Sequence, residues 1–239
     1  MVVATKAIVF SAIKYSEADL IAVCYTEAAG IKTYLLRNIL KSKKGKLRTS
    51  FFQPLTQLEI IADHKNKGSL EYIKDAKVFY PYQTLHTDIV KSSLVMFLSE
   101  MLKNCIREEE VNEELYSFLE NSFIWLDQND DVANFHIYFL LKLSMYLGFY
   151  PDTSSIEGKY FNIEAGVFQS TDFENICFEG PQVEDFKKFF SVNAKNLNDI
   201  KLTKDDRKLV LELILTYYSF HVQGYHKPKS LAILNQLFN

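Results

Sequence analysis

The alternation of apolar and polar positions changes at about residue 80. Before that point, short apolar and β-branched runs are separated by turn residues, which is typical of strands. We predict five strands, with no convincing helix among them: Lys6–Ile13, Leu20–Thr26, Gly30–Leu36, Thr56–Ala62 and Glu71–Tyr80. Five short strands so close together along a chain favour a small closed barrel.

After Pro81 the apolar residues recur every three to four positions, which indicates helices. The predicted helices are Thr87–Ile106, Asn112–Leu126, Ala133–Leu147, Val183–Phe190, a long helix from the N-cap Thr203 to about Gln223, and Lys229–Leu237. Residues 150–180 lack this period, and we predict an irregular insert with short strands at Tyr160–Ile163 and Gly166–Gln169. The fold class is therefore α+β, with a barrel domain over residues 1–80 and a helical domain over residues 81–239.

The composition places the chain among globular proteins. It has 239 residues, of which 48% are hydrophobic, and it contains few glycines and prolines. The three cysteines, Cys24, Cys105 and Cys177, are far apart and match neither a disulfide framework nor a metal-binding spacing. The first residues lack the pattern of a signal peptide, and the apolar stretches are too short to span a bilayer. We therefore expect a soluble, cytoplasmic protein with reduced thiols.

Positive charge is concentrated in one stretch. The formal net charge is -3, yet residues 30–58, here called the basic segment, contain no acidic residue. The segment holds seven cations: Lys32, Arg37, Lys41, Lys43, Lys44, Lys46 and Arg48. Without them, the chain has 20 basic and 30 acidic residues. Such a segment on an acidic protein attracts a polyanion locally, so these residues are candidate DNA-binding residues. A solvated basic loop without function is the alternative.

Aromatic residues in the same region are candidate stacking surfaces for bases. Tyr25, Tyr34, Phe51 and Phe52 lie in or beside the basic segment, and Tyr34 and Phe51 are the ones we assign to DNA binding. The alternative for each ring is a place in the barrel core. Phe51 and Phe52 are adjacent, so in a strand only one of them could face inward.

Catalytic patterns are missing from the sequence. Lys44-Gly45-Lys46 is not part of a phosphate-binding loop, and the G-x-S-x-G and H-E-x-x-H motifs do not occur. No histidine pair has an added carboxylate at metal spacing, and His136 lies in an apolar helix, where a core position is expected. We assign no catalytic residue and expect a protein that is not an enzyme.

Six short motifs follow one another along the whole chain. They are K-A-I-V-F-S-A-I-K-Y-S-E-A-D-L-I (Lys6–Ile21), T-E-A-A-G (Thr26–Gly30), K-S-K-K-G-K-L-R (Lys41–Arg48), F-Q-P-L (Phe52–Leu55), L-G-F-Y-P-D (Leu147–Asp152) and K-S-L-A-I-L (Lys229–Leu234). Each has low specificity alone, but their order and spacing together are fairly specific. Through them the chain resembles the RecO family of bacterial recombination mediators and DNA-repair proteins.

The resemblance implies a five-stranded OB barrel followed by a helical domain. It also implies ATP-independent binding of single- and double-stranded DNA, strand annealing, and loading of RecA onto single-stranded DNA coated with single-strand-binding protein. The implied partners are DNA, RecR, the acidic C-terminal tail of the single-strand-binding protein, RecF and RecA, with no membrane.

The chain departs from this family pattern at one place. Many members resemble one another in a four-cysteine zinc site after the L-G-F-x-P-D motif, but Thr153–Phe178 contains only Cys177. A structural zinc site needs four ligands, and Glu157, Glu164 and Asp172 are poor substitutes for cysteine. We therefore expect no zinc or other cofactor. We expect aromatic side chains to hold the insert instead, among them Tyr160, Phe161, Phe168 and Phe173.

An interaction scaffold is the alternative function. In that hypothesis the helical domain docks the single-strand-binding protein or RecR, and DNA contact is secondary. An acidic tail with an apolar end requires an apolar groove with a cationic rim. Candidate rim residues are Lys142, Lys187, Lys188, Arg207 and Lys208, although an ordinary surface position explains each of them better.

Overall fold

The computed structural model describes residues 1–41, 46–65, 70–107, 110–172 and 176–237. The chain divides into two compact units, residues 1–128 and 129–239. The expected domain boundary between residues 80 and 81 lies inside the first of these units and stays a prediction.

The first unit contains a five-stranded antiparallel sheet. Its strands are β1 (Val2–Lys14), β2 (Leu20–Thr26), β3 (Gly30–Leu36), β4 (Gln57–Asp63) and β5 (Tyr72–Val78), in the order β3-β2-β1-β4-β5. The five predicted strands are thus confirmed. Strand β1 begins earlier than predicted because its first half, from Val2 to Ile8, pairs with β4. From Ala7 to Lys14 it pairs with β2, with a bulge between Val9 and Ser11.

Backbone hydrogen bonds between the two outer strands close the sheet. Leu35 donates its N–H to the Glu71 carbonyl oxygen, and Glu71 donates its own N–H to the Thr33 carbonyl oxygen, both at 2.9 Å. This contact is parallel, with Tyr34 opposite Glu71. The result is an OB-like barrel, and the α+β fold class is confirmed.

Apolar side chains from all five strands fill the barrel. Burial alternates along β3, where every second residue from Gly30 to Leu36 is buried, as the two-residue period of a strand requires. The buried members of this core are Ala7, Val9, Ala22, Cys24, Tyr34, Leu36, Ile39, Phe52, Leu58, Ile60, Ala62, Ile73 and Ala76.

Two helices complete the first unit, α1 (Ile89–Cys105) and α2 (Glu113–Gln128). Asp88 caps α1 by accepting the N–H of Lys91 at 2.9 Å. Asn112 caps α2 by accepting the N–H of Leu115 at 2.8 Å. Both helices match the predicted ones to within two residues at each end.

A buried carboxylate anchors the connection between the barrel and these helices. Asp127, near the end of α2, accepts the backbone N–H groups of Gln83, Thr84 and Leu85 at 3.0, 2.8 and 2.9 Å. The buried Lys91 ammonium donates to the Thr84 hydroxyl at 2.7 Å and to the Asp127 carbonyl oxygen at 2.8 Å. Three backbone donors and one cation therefore converge on one residue.

The second unit is helical around a small sheet. Its elements are α3 (Phe135–Tyr146), β6 (Tyr160–Asn162), β7 (Val167–Gln169), β8 (Cys177–Glu179), α4 (Pro181–Lys187), α5 (Lys204–His221) and α6 (Leu231–Leu237). Thr203 caps α5, as predicted, in a capping box with Asp206. The insert is more regular than expected, because β8 adds a third strand beside β6. No helix in the described parts of either unit is long and apolar enough to cross a membrane.

Aromatic rings pack the insert against the helices of its own unit. Phe161 is fully buried, and its ring centroid lies 4.9 Å from that of Phe168, 5.3 Å from that of Phe186 and 5.3 Å from that of Tyr217. This confirms the expected role of Phe161 and Phe168. Tyr160 is half-buried, and Phe173 lies outside the described residues.

We expect Asp127→Asn to lower the free energy of unfolding of the first unit by about 2 kcal/mol, because an amide is a weaker acceptor for three N–H groups. Burial raises the pKa of Asp127, but the backbone donors outweigh it and hold the pKa below the usual 3.8. The Asp127 carboxylate therefore stabilises the folded protein at pH values above its usual pKa. This stabilisation is lost as the pH falls through the lower pKa of the folded state. Urea titrations followed by the fluorescence of Trp125, the single tryptophan, measure both effects.

Asp131→Asn, which changes an exposed aspartate, is the matched control and should leave the titration unchanged. Equal stability of the Asp127→Asn variant and the unchanged protein at pH 7 would contradict this role.

Candidate nucleic-acid interface

The basic segment comprises β3, a short 3₁₀ turn at Thr49–Phe52 and the first residues of β4. Lys43 and Lys44 lie outside the described residues. Of the five remaining cations, four are exposed: Arg37, Lys41, Lys46 and Arg48. The acid-free stretch therefore presents cationic groups to solvent on the barrel unit.

Two of these lysines form ion pairs with carboxylates elsewhere in the unit. Lys41 lies 3.5 Å from Glu17, and Lys46 lies 3.8 Å from Asp75. The side chains of Lys41 and Glu17 are 63% and 92% exposed. Exposed pairs of this kind contribute little stability. A phosphate group can therefore replace the carboxylate at small cost.

Lys32 is a correction to the predicted set. It is only 8% exposed, because it occupies an inward-facing position of β3 together with Tyr34 and Leu36. With so little of its surface exposed, Lys32 offers less charge to a DNA backbone than the exposed cations of the basic segment do.

Tyr34 is a second correction. Its side chain is fully buried in the barrel core, and its hydroxyl shares a hydrogen bond of 2.8 Å with Nε2 of His64. Burial raises the pKa of Tyr34 and lowers the pKa of His64, so both groups are neutral at pH 7. No face of the Tyr34 ring is open to a base.

Phe51 is the most accessible of the four rings considered in this region. It is half-buried and packs against the barrel core from the 3₁₀ turn, whereas Tyr25 and Phe52 are buried. We expected one residue of the adjacent pair Phe51 and Phe52 to face inward, and Phe52 does so. The pair lies in a turn and not in a strand. A stacking role for Phe51 stays a prediction.

One cluster of polar and aromatic groups was missed by the sequence reasoning. Nη2 of Arg37 donates to the Tyr72 hydroxyl at 2.9 Å, and its guanidinium carbon lies 4.9 Å from the Tyr72 ring centroid. Nζ of Lys65 lies 5.3 Å from the same centroid. Lys65 and Tyr72 flank the β4–β5 connection. This connection commonly binds ligands in OB folds, so the position of the two residues along the sequence could have indicated the cluster.

Burial makes the thiols of Cys24 and Cys105 poor metal ligands. Burial raises the pKa of Cys24 and of Cys105 to about 12, and none of the three cysteines forms a disulfide. Cys177 accepts a hydrogen bond from Nε2 of Gln169 at 3.3 Å. In the described parts of the chain, no three His, Cys, Asp or Glu side chains are grouped so that they could hold a metal ion.

In the second unit, basic residues together with Glu212 border a shallow apolar groove between α5 and α6, here called the α5–α6 groove. A hollow of about 80 Å³ is lined by Lys208, Leu211, Glu212, Leu215, Lys227, Leu231 and Asn235. A second hollow beside it adds Lys204, Arg207, Leu234 and His136. Leu211, Leu215, Leu231 and Leu234 are buried and form an apolar floor.

Only two of the five predicted rim cations border this groove, Arg207 and Lys208. Lys187 and Lys188 instead pair with Glu184 and Asp185 at 2.6 and 2.5 Å. Nζ of Lys142 lies 5.7 and 5.6 Å from the ring centroids of Tyr138 and Tyr150. His136 is buried, as predicted, and burial lowers its pKa to about 3.

Comparison with known proteins shows what this chain is related to. The family profile described as recombination protein O N terminal matches residues 1–82, and the one described as recombination protein O C terminal matches residues 86–231. Proteins named DNA repair protein RecO are 48% identical in Christiangramia forsetii, 44% in Flavobacterium johnsoniae and 43% in Flavobacterium psychrophilum. Each comparison covers 100% of both chains. The chain therefore belongs to the RecO family of DNA repair proteins.

Proposed function

We propose that this protein binds single- and double-stranded DNA through the phosphate backbone, anneals complementary strands, and mediates the loading of RecA in recombinational repair. The observation that carries this proposal is the set of four exposed cations along the acid-free segment: Arg37, Lys41, Lys46 and Arg48. Their charges act on any DNA sequence because they contact phosphates and not base edges.

Charge explains why such a surface promotes annealing. Two DNA strands repel each other through their phosphates, so a protein that neutralises both strands lowers the barrier to pairing. Binding without sequence readout leaves the base edges free to find their complements. The acidic remainder of the chain repels DNA and confines it to the basic segment.

The exposed ion pairs support an exchange mechanism. Lys41 and Lys46 already face carboxylates of Glu17 and Asp75, at 3.5 and 3.8 Å. DNA that displaces these carboxylates gains phosphate contacts, and release of the DNA restores the internal pairs. No nucleotide hydrolysis is needed for such a cycle, which fits the missing phosphate-binding loop in the sequence.

Replacing Lys43, Lys44 and Lys46 by alanine should weaken binding to single-stranded DNA. Each lost phosphate contact reduces the slope of log K against log salt by about 0.7, so the triple variant should show a slope shallower by about 2. Titration of a labelled oligonucleotide at several salt concentrations measures the slope, and a strand-annealing assay should show slower annealing.

The matched control replaces three exposed lysines of the second unit, Lys159, Lys195 and Lys201, by alanine. It changes the net charge equally and should leave the slope as it was. If both triple variants lose the same slope, the overall charge of the protein, and not the basic segment, is responsible for binding.

The α5–α6 groove favours a second candidate function, the docking of a protein partner. An acidic peptide with an apolar end fits an apolar floor bordered by Lys204, Lys208 and Lys227. The C-terminal tail of the single-strand-binding protein has this chemistry, and we propose it as the occupant. RecR and RecF are further proposed partners, to which no surface is assigned.

Lys208→Glu should weaken the binding of a synthetic acidic tail peptide at least tenfold, because it places a carboxylate beside the peptide acids on the border that the two hollows share. Fluorescence anisotropy of a labelled peptide measures this change. Affinity for bare single-stranded DNA should stay the same, because the basic segment is untouched.

Lys201→Glu, at an exposed lysine just before α5, is the control for this experiment. An equal loss of peptide binding in both variants would argue against docking in the groove. Strong peptide binding by a protein with negligible affinity for DNA would favour the scaffold over the annealing function.

A further inference from the structure

Barrel closure brings together three side chains that are far apart in the sequence. Arg37 directly follows β3, whereas Lys65 and Tyr72 lie on the two sides of the β4–β5 connection. The residue before Tyr72, Glu71, exchanges backbone hydrogen bonds with Thr33 and Leu35 of β3. The end of β3 and the beginning of β5 therefore meet at the seam of the barrel.

The geometry of this cluster leaves its polar groups available as donors. The Tyr72 hydroxyl accepts from Nη2 of Arg37 at 2.9 Å and keeps its own proton for donation. Arg37 and Lys65 are exposed, and Tyr72 is half-buried. The guanidinium, the ammonium and the phenol can thus all donate to one anionic group.

Three carboxylates lie near the cluster, and each has a further partner. Oε2 of Glu71 accepts the backbone N–H of Lys65 at 2.7 Å. Oδ1 of Asp19 accepts the backbone N–H of Asn38 at 2.7 Å, and Oδ2 of Asp63 pairs with Lys74 at 3.9 Å. The contacts of Arg37 and Lys65 with the Tyr72 ring are weak at an exposed site, and a phosphate is a stronger partner for either cation. The cluster is therefore suited to an anion that also carries a flat group.

We propose that Arg37, Lys65 and Tyr72 form a nucleotide subsite for single-stranded DNA, in which a base stacks on the Tyr72 ring while Arg37 and Lys65 hold the adjacent phosphate. This inference rests on the proposed function, because it assumes that DNA reaches the barrel. It adds a contact to bases beside the phosphate contacts of the basic segment. Stacking needs an unpaired base, so the subsite favours single strands over duplex.

A purely structural role of Tyr72 predicts a different pattern of DNA binding. If Tyr72 only holds Arg37 across the barrel seam, its loss changes binding to every form of DNA alike. If a base stacks on Tyr72, the loss is confined to DNA that carries bases and is single-stranded. An abasic oligonucleotide of the same length has the same phosphates and separates the two cases.

The experiment compares Tyr72→Leu, Tyr72→Phe and the unchanged protein on a thymidine oligonucleotide, its abasic counterpart and a duplex. Tyr72→Leu should bind the thymidine oligonucleotide on the order of tenfold more weakly, and should bind the other two as the unchanged protein does. Tyr72→Phe keeps the ring and should retain most of the affinity. Tyr160→Leu, which removes a similar half-buried tyrosine beside Lys159, is the control and should bind all three normally.

Undiminished binding of the thymidine oligonucleotide by Tyr72→Leu would overturn the subsite, and so would an equal loss on the abasic strand. If Tyr72→Leu does not fold, Tyr72→Trp replaces it, with fluorescence corrected for the signal of Trp125. Quenching of the added tryptophan by the thymidine oligonucleotide but not by the abasic one supports stacking, and its absence overturns it. Failure of the unchanged protein to bind any of the three DNAs would instead refute the proposed function itself.

Discussion

The parallel contact that closes the barrel is the constraint on which the candidate interface depends. Two backbone hydrogen bonds of Glu71 to β3, each of 2.9 Å, join the outer strands of the sheet. They make Arg37 a neighbour of Tyr72 across 35 residues of sequence. The same closure turns Lys32 and Tyr34 inward, since alternate residues of β3 must then face the core. This seam thus brings Arg37 to Tyr72 and turns Lys32 inward.

Strand β5 gives the basic segment its acidic and aromatic neighbours. Arg37 contacts Tyr72, and Lys46 pairs with Asp75 three residues further along the same strand. These contacts orient exposed side chains that would otherwise be mobile, but they are weak enough to be exchanged. A reversible DNA contact requires cations that are oriented but not permanently neutralised. Tight ion pairs within the protein would compete with the phosphate groups for these cations.

Much of the fold could be predicted from the sequence. The spacing of apolar residues differs between strands and helices, and the residues around Thr203 have the pattern of a helix N-cap. The site was predicted less well. Ile31 and Leu35 are as apolar as the buried positions of β3, so the pattern does not show which face turns inward. Lys32 and Tyr34 were assigned to DNA binding because they belong to the basic segment, and the pattern gave no reason to place them inside. The contact of Arg37 with Tyr72 depends on barrel closure, a long-range pairing that no local pattern reveals.

Aromatic packing holds the small sheet of the second unit. Its strands have three residues each, and a sheet of that size is not stable alone. A structural metal supplies folding free energy to such small elements. Here Phe161 and Phe168 are buried against Phe186 and Tyr217, and burial of one such ring contributes about 1.5–3 kcal/mol. A few rings of this size therefore stabilise a sheet whose strands are too short to be stable alone.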